Sequence, residues 1–190
     1  MDPQGLVDIN KSSGYNHAVS RQPKILITEE KISEAIAKLA ADIRRDYHGK
    51  QPLLIGILKG AFVFLADLAR ELDLPVEIDF VKLSSYGSGT RTSGKVKVVQ
   101  GLRAPIKDRD IIVVEDIVDT GLTVSFIMDY LRKRKPTSLK LCALVDKPSK
   151  HKVPVIIDYL GFTVPDKFVV GYGIDWNEKF RQLRTIGFID

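Results

Sequence analysis

The feature that most constrains this chain of 190 residues is an apolar run, Ile111 to Val114, that ends abruptly in Glu115 and Asp116. An unbroken apolar run is typical of a strand that is buried on both faces of a parallel sheet. A polar turn follows, and apolar residues then recur at helical spacing, at Val124, Ile127, Met128 and Leu131. The pattern predicts strand, loop and helix. In an open parallel sheet such a junction lies at the carboxyl edge, where ligands bind.

The loop itself has the residues of a phosphate site. Backbone N–H groups from Asp119 to Thr123 are expected to point into the turn at the start of the next helix, which favours a bound anion. Gly121 lets the backbone approach that anion closely. The hydroxyls of Thr120 and Thr123 add donors. The loop is not a Walker loop, because the sequence lacks GxxxxGK[ST].

The acidic pair before the loop has a different chemistry. Glu115 and Asp116 would repel a phosphate placed beside them, but they suit ribose hydroxyls or a magnesium ion shared with a ligand. An isolated acidic pair at a strand end is equally consistent with solvated surface charge. Together with the loop, the pair predicts a site for a sugar that carries a phosphate at one end.

Three stretches carry a family resemblance. Val113 to Thr123, VVEDIVDTGLT, resembles the phosphoribosyl-diphosphate (PRPP) loop of type I phosphoribosyltransferases, in the form found in the hypoxanthine-guanine subfamily. Leu58-Lys59-Gly60 resembles a second motif of that subfamily. Asp166 to Gly173, with Asp175 just beyond, resembles a third. The loop alone indicates the superfamily, and the three stretches together indicate its purine branch over roughly residues 24 to 190.

The expected fold is α/β, with a parallel sheet of about five strands flanked by helices and a small hood lobe, as in type I phosphoribosyltransferases. Residues 1–23 are expected to be a flexible leader, and residues 24–190 a single phosphoribosyltransferase domain. Its core is expected at about residues 50–150. The hood is expected to combine the N-terminal strand with about residues 151–190. Strands are predicted at Lys24 to Ile27, Leu53 to Leu58, Val76 to Ser84, Lys95 to Gln100, from Ile111, Ser138 to Val145, Val155 to Gly161 and Phe168 to Gly171.

The resemblance implies roles for individual residues. The expected PRPP-binding residues are Glu115, Asp116, Asp119, Thr120, Gly121, Leu122, Thr123, Lys59, Gly60 and Arg181. Asp119 is the expected catalytic residue, a general base for the N7 proton of the purine. The expected cofactor is Mg²⁺, bound by Glu115, Asp116 and Asp175. The resemblance also implies that the Leu58–Lys59 peptide bond can be cis.

The purine is expected to contact four residues. Lys147 would donate to the exocyclic oxygen of a 6-oxopurine, and Phe168 would stack on its ring. Val169 would hold the base edge through its backbone, and Asp175 would act nearby through magnesium. Without the resemblance, Lys147 is an ordinary surface lysine, and Phe168, which precedes two valines, is an ordinary core residue.

The stretch Ser85 to Gly94 contains three glycines and five serine or threonine residues within ten positions. Such a segment cannot build a core, so it is either a hairpin tip or a lid that closes on substrate. The resemblance implies a lid, with Ser85 and Tyr86 contacting the closed site.

The expected function is transfer of the 5-phosphoribosyl group from PRPP to N9 of hypoxanthine or guanine, which yields IMP or GMP and diphosphate in purine salvage. One alternative is a phosphoribosyltransferase for another base, such as xanthine or uracil. Another is a PRPP-sensing regulator that binds nucleic acid, although no helix-turn-helix segment is evident.

Composition is compatible with this function. A net charge of +5 suits an anionic substrate and gives weak attraction to nucleic acid, but no specific nucleic-acid partner is expected. No apolar stretch is long enough to span a membrane, and no secretory signal is evident. The chain has a single cysteine, Cys142, within an apolar run. One cysteine cannot form an internal disulfide, which favours a reducing compartment such as the cytoplasm. The expected partners are PRPP and a 6-oxopurine, with the chain assembled as a homodimer or homotetramer.

Overall fold

The computed structural model describes residues 22–85 and 96–189. Within them, the strands are β1 Lys24–Ile27, β2 Leu53–Leu58, β3 Glu77–Ser85, β4 Val96–Gln100, β5 Asp110–Val118, β6 Ser138–Asp146, β7 Tyr159–Thr163, β8 Phe168–Val170 and β9 Ile186–Ile189. The α-helices are α1 Glu29–Asp46, α2 Phe62–Glu71 and α3 Leu122–Arg132.

The central sheet has six strands in the order β4-β3-β2-β5-β6-β7. Five of them, β3, β2, β5, β6 and β7, run parallel, and β4 pairs antiparallel with β3 at one edge. The prediction of a parallel sheet of about five strands is therefore confirmed. Only ten residues separate β3 from β4 in the sequence. A parallel pair requires a crossover connection of about a dozen residues or more, so an antiparallel edge strand fits this spacing.

Strand β5 lies in the middle of this sheet, as its apolar run predicted. The side chains from Ile111 to Val114 are fully buried, and the strand pairs with β2 on one side and with β6 on the other. Alternate residues face opposite layers. Ile112 and Val114 pack in the core that contains α1 and α2, whereas Ile111 and Val113 pack in the core that contains α3. Helices therefore cover both faces of the sheet.

Helix α1 forms where its capping signal predicted. The side chain of Thr28 accepts a hydrogen bond from the backbone N–H of Lys31 at 3.4 Å, and Glu29 and Glu30 occupy the first turn. The buried face of the helix consists of Ile32, Ile36, Leu39, Ala40 and Ile43. This spacing is that of an amphipathic helix, which packs its apolar stripe on the sheet.

A second, three-stranded sheet has the order β1-β9-β8, and all of its pairs are antiparallel. It joins the N-terminal strand to two strands near the end of the chain. Phe188 of β9 lies opposite Lys24 on one side and opposite Val169 on the other. Strand β9 was not among the strands predicted from the sequence.

One predicted strand lies in a different sheet from the expected one. The segment assigned to the hood at Val155 to Gly161 forms β7 at Tyr159–Thr163, and it pairs parallel with β6 in the central sheet. The core therefore extends past residue 150. The segment joins the central sheet because β6 would otherwise be an edge strand. Strand β7 pairs the backbone N–H and C=O groups of β6 that would be left exposed. The side chain of Tyr159 is also buried in the core that contains α1.

Two of the predicted features lie outside the described residues. They are residues 1–21 of the predicted leader and the predicted lid residue Tyr86. Ser85 is the last residue of β3, where its backbone pairs with that of Val96. Cys142 is fully buried in β6, and burial raises the pKa of its thiol. Among residues 22–85 and 96–189, no helix is long and apolar enough to cross a membrane.

Candidate active site

Two strand–helix junctions meet at the carboxyl edge of the central sheet. Strands β2 and β5 are parallel neighbours, with Gly56 opposite Val114. The turn Lys59-Gly60 follows β2. The acidic pair lies inside β5 near its carboxyl end, because the strand continues through Ile117 to Val118. The peptide bond between Leu58 and Lys59 is cis. A Cβ at Gly60 would lie 1.9 Å from Oδ2 of Asp116, so only glycine fits beside this carboxylate.

The acidic pair is buried, not solvated. Glu115 and Asp116 are 7% and 8% exposed, so the surface-charge interpretation is wrong for both. Oε2 of Glu115 is a buried atom with no hydrogen-bond partner among the described residues. Burial, followed by the Asp116 carboxylate, raises the pKa of Glu115 well above its usual range. A buried acceptor without a partner is available for a ligand donor or a cation.

The pKa of Asp116 is also raised, to about 6, and burial is the main cause. The backbone N–H groups of Ile117 and of Asp116 itself lower it, as does the charge of Arg181, whereas the charge of Asp175 raises it further. Arg181 and Asp175 therefore lie near enough to act on this carboxylate, although both are distant in sequence.

The loop predicted to bind phosphate turns at Gly121, as expected. Gly121 takes a left-handed conformation with φ of +78°, and it precedes the first residue of α3 without any side-chain cap. A Cβ there would lie 2.6 Å from Cγ2 of Val155. Oγ1 of Thr120 accepts from the N–H of Leu122 at 3.5 Å. Gly121 itself has no side chain to cap the helix. The N–H groups that follow Leu122 in the first turn of α3 are therefore available to an anion.

The segment after β6 packs against this loop. The N–H of Lys147 donates to the carbonyl of Val118 at 2.9 Å, and the N–H of Lys152 donates to the carbonyl of Thr120 at 2.9 Å. Lys147 as a whole residue is only 6% exposed, so it is not an ordinary surface lysine. Burial lowers the pKa of its ammonium group, and the carboxylates of Asp119 and Asp166 oppose that effect. Lys147 and Asp119 thus lie in the same part of the cleft.

A histidine that the sequence analysis did not single out braces this segment. Nε2 of His151 lies 2.8 Å from Oδ1 of Asp146, the last residue of β6. The contact closes the turn that contains Lys147. In the sequence, the contact is indicated only by an acidic residue and a histidine that are five positions apart. That spacing is too common to predict a contact.

The small sheet contributes the aromatic residue. Phe168 begins β8 and is 52% exposed, so its interpretation as a core residue is wrong. Val169 beside it is 3% exposed, and its backbone lies opposite Phe188 of β9. The next residue, Val170, is fully buried as well, so of the three residues of β8 Phe168 alone has a ring open for stacking.

Four charged residues form a cluster beside the Lys59-Gly60 turn. Nη2 of Arg181 lies 2.8 Å from Oδ1 of Asp175 and 3.3 Å from Oε2 of Glu178. Nζ of Lys59 lies 3.0 Å from Oε1 of the same Glu178. Glu178 was not singled out from the sequence. Lys59 and Glu178 are 119 positions apart, so no local pattern could have paired them.

The three predicted magnesium ligands do not form a ready-made metal centre. Among the described residues, no group of three or more His, Cys, Asp or Glu side chains is arranged to hold a metal ion. Asp175 pairs with Arg181 and also accepts the N–H of Glu178 at 2.8 Å. The unpartnered oxygen of Glu115 is nonetheless an oxygen ligand of the kind that Mg²⁺ prefers. Mg²⁺ commonly takes one or two protein carboxylates and completes its shell with water and substrate phosphates.

Comparison with known proteins decides the family. Residues 25–177 match the family model described as the phosphoribosyl transferase domain. The chain belongs to the phosphoribosyltransferase family. This membership agrees with the fold, a mostly parallel sheet flanked by helices with its loops at the carboxyl edge.

Similar phosphoribosyltransferases cover most of the chain. It is 45% identical to the hypoxanthine-guanine phosphoribosyltransferase of Bacillus subtilis over 87% of this chain and 92% of that protein. It is 41% identical to the bifunctional protein TilS/HprT of Listeria monocytogenes over 98% of this chain, but it spans only 29% of that longer protein. A crystal structure of a Bacillus anthracis hypoxanthine-guanine phosphoribosyltransferase, with HEPES in its active site, superposes with a TM-score of 0.84 at 46% identity, over 89% of this chain and 100% of that one.

Proposed function

We propose that this phosphoribosyltransferase transfers the 5-phosphoribosyl group of PRPP to N9 of hypoxanthine or guanine, giving IMP or GMP and diphosphate in purine salvage. The observation that carries the proposal is the packing of the Lys147 segment on the end of β5 and the loop after it. The N–H of Lys147 donates to Val118, the last residue of β5, and the N–H of Lys152 donates to Thr120 in the loop, both at 2.9 Å. This packing puts a buried cationic donor next to a loop suited to the sugar phosphate. The similar proteins named as hypoxanthine-guanine phosphoribosyltransferases add support.

PRPP would be held at three points. Thr120, Gly121, Leu122 and Thr123 would bind the 5-phosphate through backbone N–H groups and hydroxyls, and the uncapped start of α3 supports this. Glu115 and Asp116 would accept from the ribose hydroxyls, which would satisfy the unpartnered oxygen of Glu115. Lys59, Gly60 and Arg181 would contact the diphosphate by charge-assisted hydrogen bonds.

The chemical step follows from these charges. Departure of diphosphate leaves an oxocarbenium-like ribose, so positive charge develops on the sugar and negative charge on the leaving group. Lys59 and Arg181 would stabilise the leaving group. The exposed Asp119, the first residue of the loop, would take the N7 proton of the purine as general base. A lid formed by Ser85 and Tyr86 would exclude water from the reactive sugar.

Magnesium is part of the proposal. Glu115, Asp116 and Asp175 are the residues that would hold it, together with oxygens of PRPP. The buried and unpartnered Glu115 oxygen and the all-oxygen donor set fit this ion. When bound, Mg²⁺ would neutralise charge on the diphosphate.

The base would lie between Lys147 and the small sheet. The Lys147 ammonium would donate to the exocyclic oxygen, and the exposed ring of Phe168 would stack on the purine, worth about 1 kcal/mol. The backbone of Val169 would hold the base edge, with Asp175 nearby. These contacts favour a 6-oxopurine, because a lysine side chain has no acceptor to offer an amino group.

The proposal extends to assembly and location. We propose a homodimer or homotetramer, for which the exposed apolar side chains of Ile25, Phe62 and Ile78 offer surface that a subunit contact can cover. Sedimentation equilibrium tests this. The proposed location is the cytoplasm, where the single free thiol of Cys142 is compatible with a reducing compartment.

One assay separates the candidate functions. PRPP-dependent turnover is measured with hypoxanthine, guanine, xanthine, adenine and uracil, each with magnesium and with chelator. Turnover with hypoxanthine or guanine and little with the others is expected. Preference for xanthine or uracil would replace the substrate assignment. Binding of PRPP without turnover of any base would favour a PRPP-sensing regulator.

A further inference from the structure

Glu178 bridges the two cations that would bind diphosphate. One of its carboxylate oxygens, Oε1, lies 3.0 Å from Nζ of Lys59, and the other, Oε2, lies 3.3 Å from Nη2 of Arg181. Among the described residues, it is the only carboxylate within ion-pair distance of Lys59. A carboxylate in this position presents two anionic oxygens to two donors, as an anionic ligand would.

The bridge follows from the way two backbone segments dock. A Cβ at Gly173 would lie 2.2 Å from the carbonyl oxygen of Gly60, so the segment before Glu178 lies directly against the Lys59-Gly60 turn. Nη1 of Arg181 donates to the carbonyl of Gly173 at 2.8 Å. Docking of the two backbone segments therefore brings the two cations and Glu178 into the same small region.

We infer that Glu178 competes with diphosphate for Lys59 and Arg181, and that it is a positioning residue which weakens diphosphate binding. This inference rests on the proposed function. In the unliganded protein the Glu178 carboxylate holds both cations. When diphosphate binds, its oxygens take the same donors, and the carboxylate has to leave because like charges repel.

The local geometry allows this exchange. The side chains of Glu178 and Lys59 are 65% and 53% exposed, so their ion pair is screened by water and easily broken. The backbone N–H of Glu178 donates to Oδ2 of Asp175 at 2.8 Å, and Arg181 pairs with the same carboxylate at 2.8 Å. When the side chain of Glu178 moves away, the backbone hydrogen bond from Glu178 to Asp175 and the ion pair between Arg181 and Asp175 both remain.

The functional consequence concerns product release. As diphosphate departs, Lys59 and Arg181 lose their contacts with it. The Glu178 carboxylate then returns and forms ion pairs with both cations again. This lowers the affinity for diphosphate and speeds its dissociation. The same competition raises the concentration of PRPP needed for half-saturation, because PRPP carries the same diphosphate group.

The test is Glu178→Gln, which removes the charge and keeps the length of the side chain and the backbone hydrogen bond. The matched control is Glu77→Gln, which removes an exposed ion pair with Arg109 at the opposite edge of the sheet. Calorimetry with magnesium diphosphate should give about 3- to 5-fold tighter binding in E178Q and no change in E77Q, from the usual strength of exposed ion pairs. The melting temperature of each variant reports whether the fold is intact.

A double-mutant cycle tests whether Glu178 affects diphosphate binding through Lys59. Lys59→Met alone should weaken diphosphate binding, and adding Glu178→Gln to it should give a smaller gain than in the parent, because one of the two competing pairs is already absent. Unchanged or weaker diphosphate binding in E178Q would overturn the inference. A parent protein that binds no diphosphate would contradict the proposed function instead, so the two failures are distinguishable.

Discussion

Gly60 and Asp116 approach each other so closely that a Cβ on Gly60 would lie 1.9 Å from Oδ2 of Asp116. This contact joins the turn after β2 to the acidic pair near the carboxyl end of β5. It places the proposed diphosphate site directly beside the proposed ribose site. The carboxylate is buried, so it has little room to move away from a new methyl group.

Gly60→Ala is accordingly expected to displace the Asp116 carboxylate. Turnover with PRPP and hypoxanthine should fall by about 10²-fold or more, since a misplacement of about 1 Å in an active site has effects of that size. Gly101→Ala is the matched control, because a Cβ there would meet nothing nearer than Oη of Tyr130 at 3.8 Å. Steady-state kinetics and melting temperature are measured for both variants. Parent-like turnover in G60A would show that Asp116 can shift without loss.

Asp119→Asn tests the general base. Turnover should fall by about 10²-fold or more, which is the usual contribution of a general base, while PRPP still binds. Asp129→Asn, on the exposed side of α3 and paired with Arg132, is the control. Single-turnover kinetics give the chemical step, and calorimetry gives PRPP affinity. Near-normal turnover in D119N would remove Asp119 from the role of base.

Base choice depends on Lys147. Its ammonium can donate to the exocyclic oxygen of hypoxanthine, but it meets the amino group of adenine donor to donor. An unpaired buried donor costs about 1–3 kcal/mol, and more when it is charged, as this ammonium is. The value of kcat/KM should therefore be at least ~10-fold lower with adenine than with hypoxanthine. Lys147→Met should lower kcat/KM with hypoxanthine. It should also reduce the difference in kcat/KM between hypoxanthine and adenine.

The control for Lys147→Met is Lys150→Met, which lies in the same segment, is 45% exposed and pairs with Asp166. It should change neither kcat/KM value much. If the Lys147→Met variant kept the rate and the discrimination of the parent, the base would have to be selected by other residues.

Asp79 offers a test of stability against pH. Its carboxylate accepts from the N–H groups of Phe80, Arg103 and Ala104 at 2.7, 2.7 and 2.9 Å. Burial raises the pKa of Asp79, but these hydrogen bonds outweigh burial and leave the pKa below its ordinary value of 3.8. A carboxyl whose pKa is lowered by folding stabilises the fold above its unfolded pKa, and that stability is lost as pH falls through the folded pKa.

Asp79→Asn should therefore lower the free energy of unfolding by about 1–2 kcal/mol at pH 7, since it replaces charged hydrogen bonds and turns one acceptor into a donor. The difference from the parent should shrink below about pH 4, where the parent carboxyl becomes protonated. Urea denaturation at several pH values measures it, with Asp108→Asn as an exposed control. A difference independent of pH would mean that charge has no part in the effect.

Much of the fold follows from local patterns. The apolar run from Ile111 to Val114 predicts a buried central strand, because only a strand covered on both faces needs no polar alternation. Thr28 marks the start of α1, and Gly121 marks the turn into α3. These signals are short-range, so they can be read without knowing what packs against them. The resemblance of three short motifs then named the residues of the candidate site.

Other features depend on partners that are remote in the chain. The segment predicted for the hood became β7, because the unpaired edge of β6 was available to it. Burial of Glu115 and Lys147, and the exposure of Phe168, arise from packing between elements and not from the type of residue. The bridge from Lys59 to Glu178 joins positions 119 residues apart. Such contacts are set by how strands and turns dock, so they emerge only when the whole chain is folded.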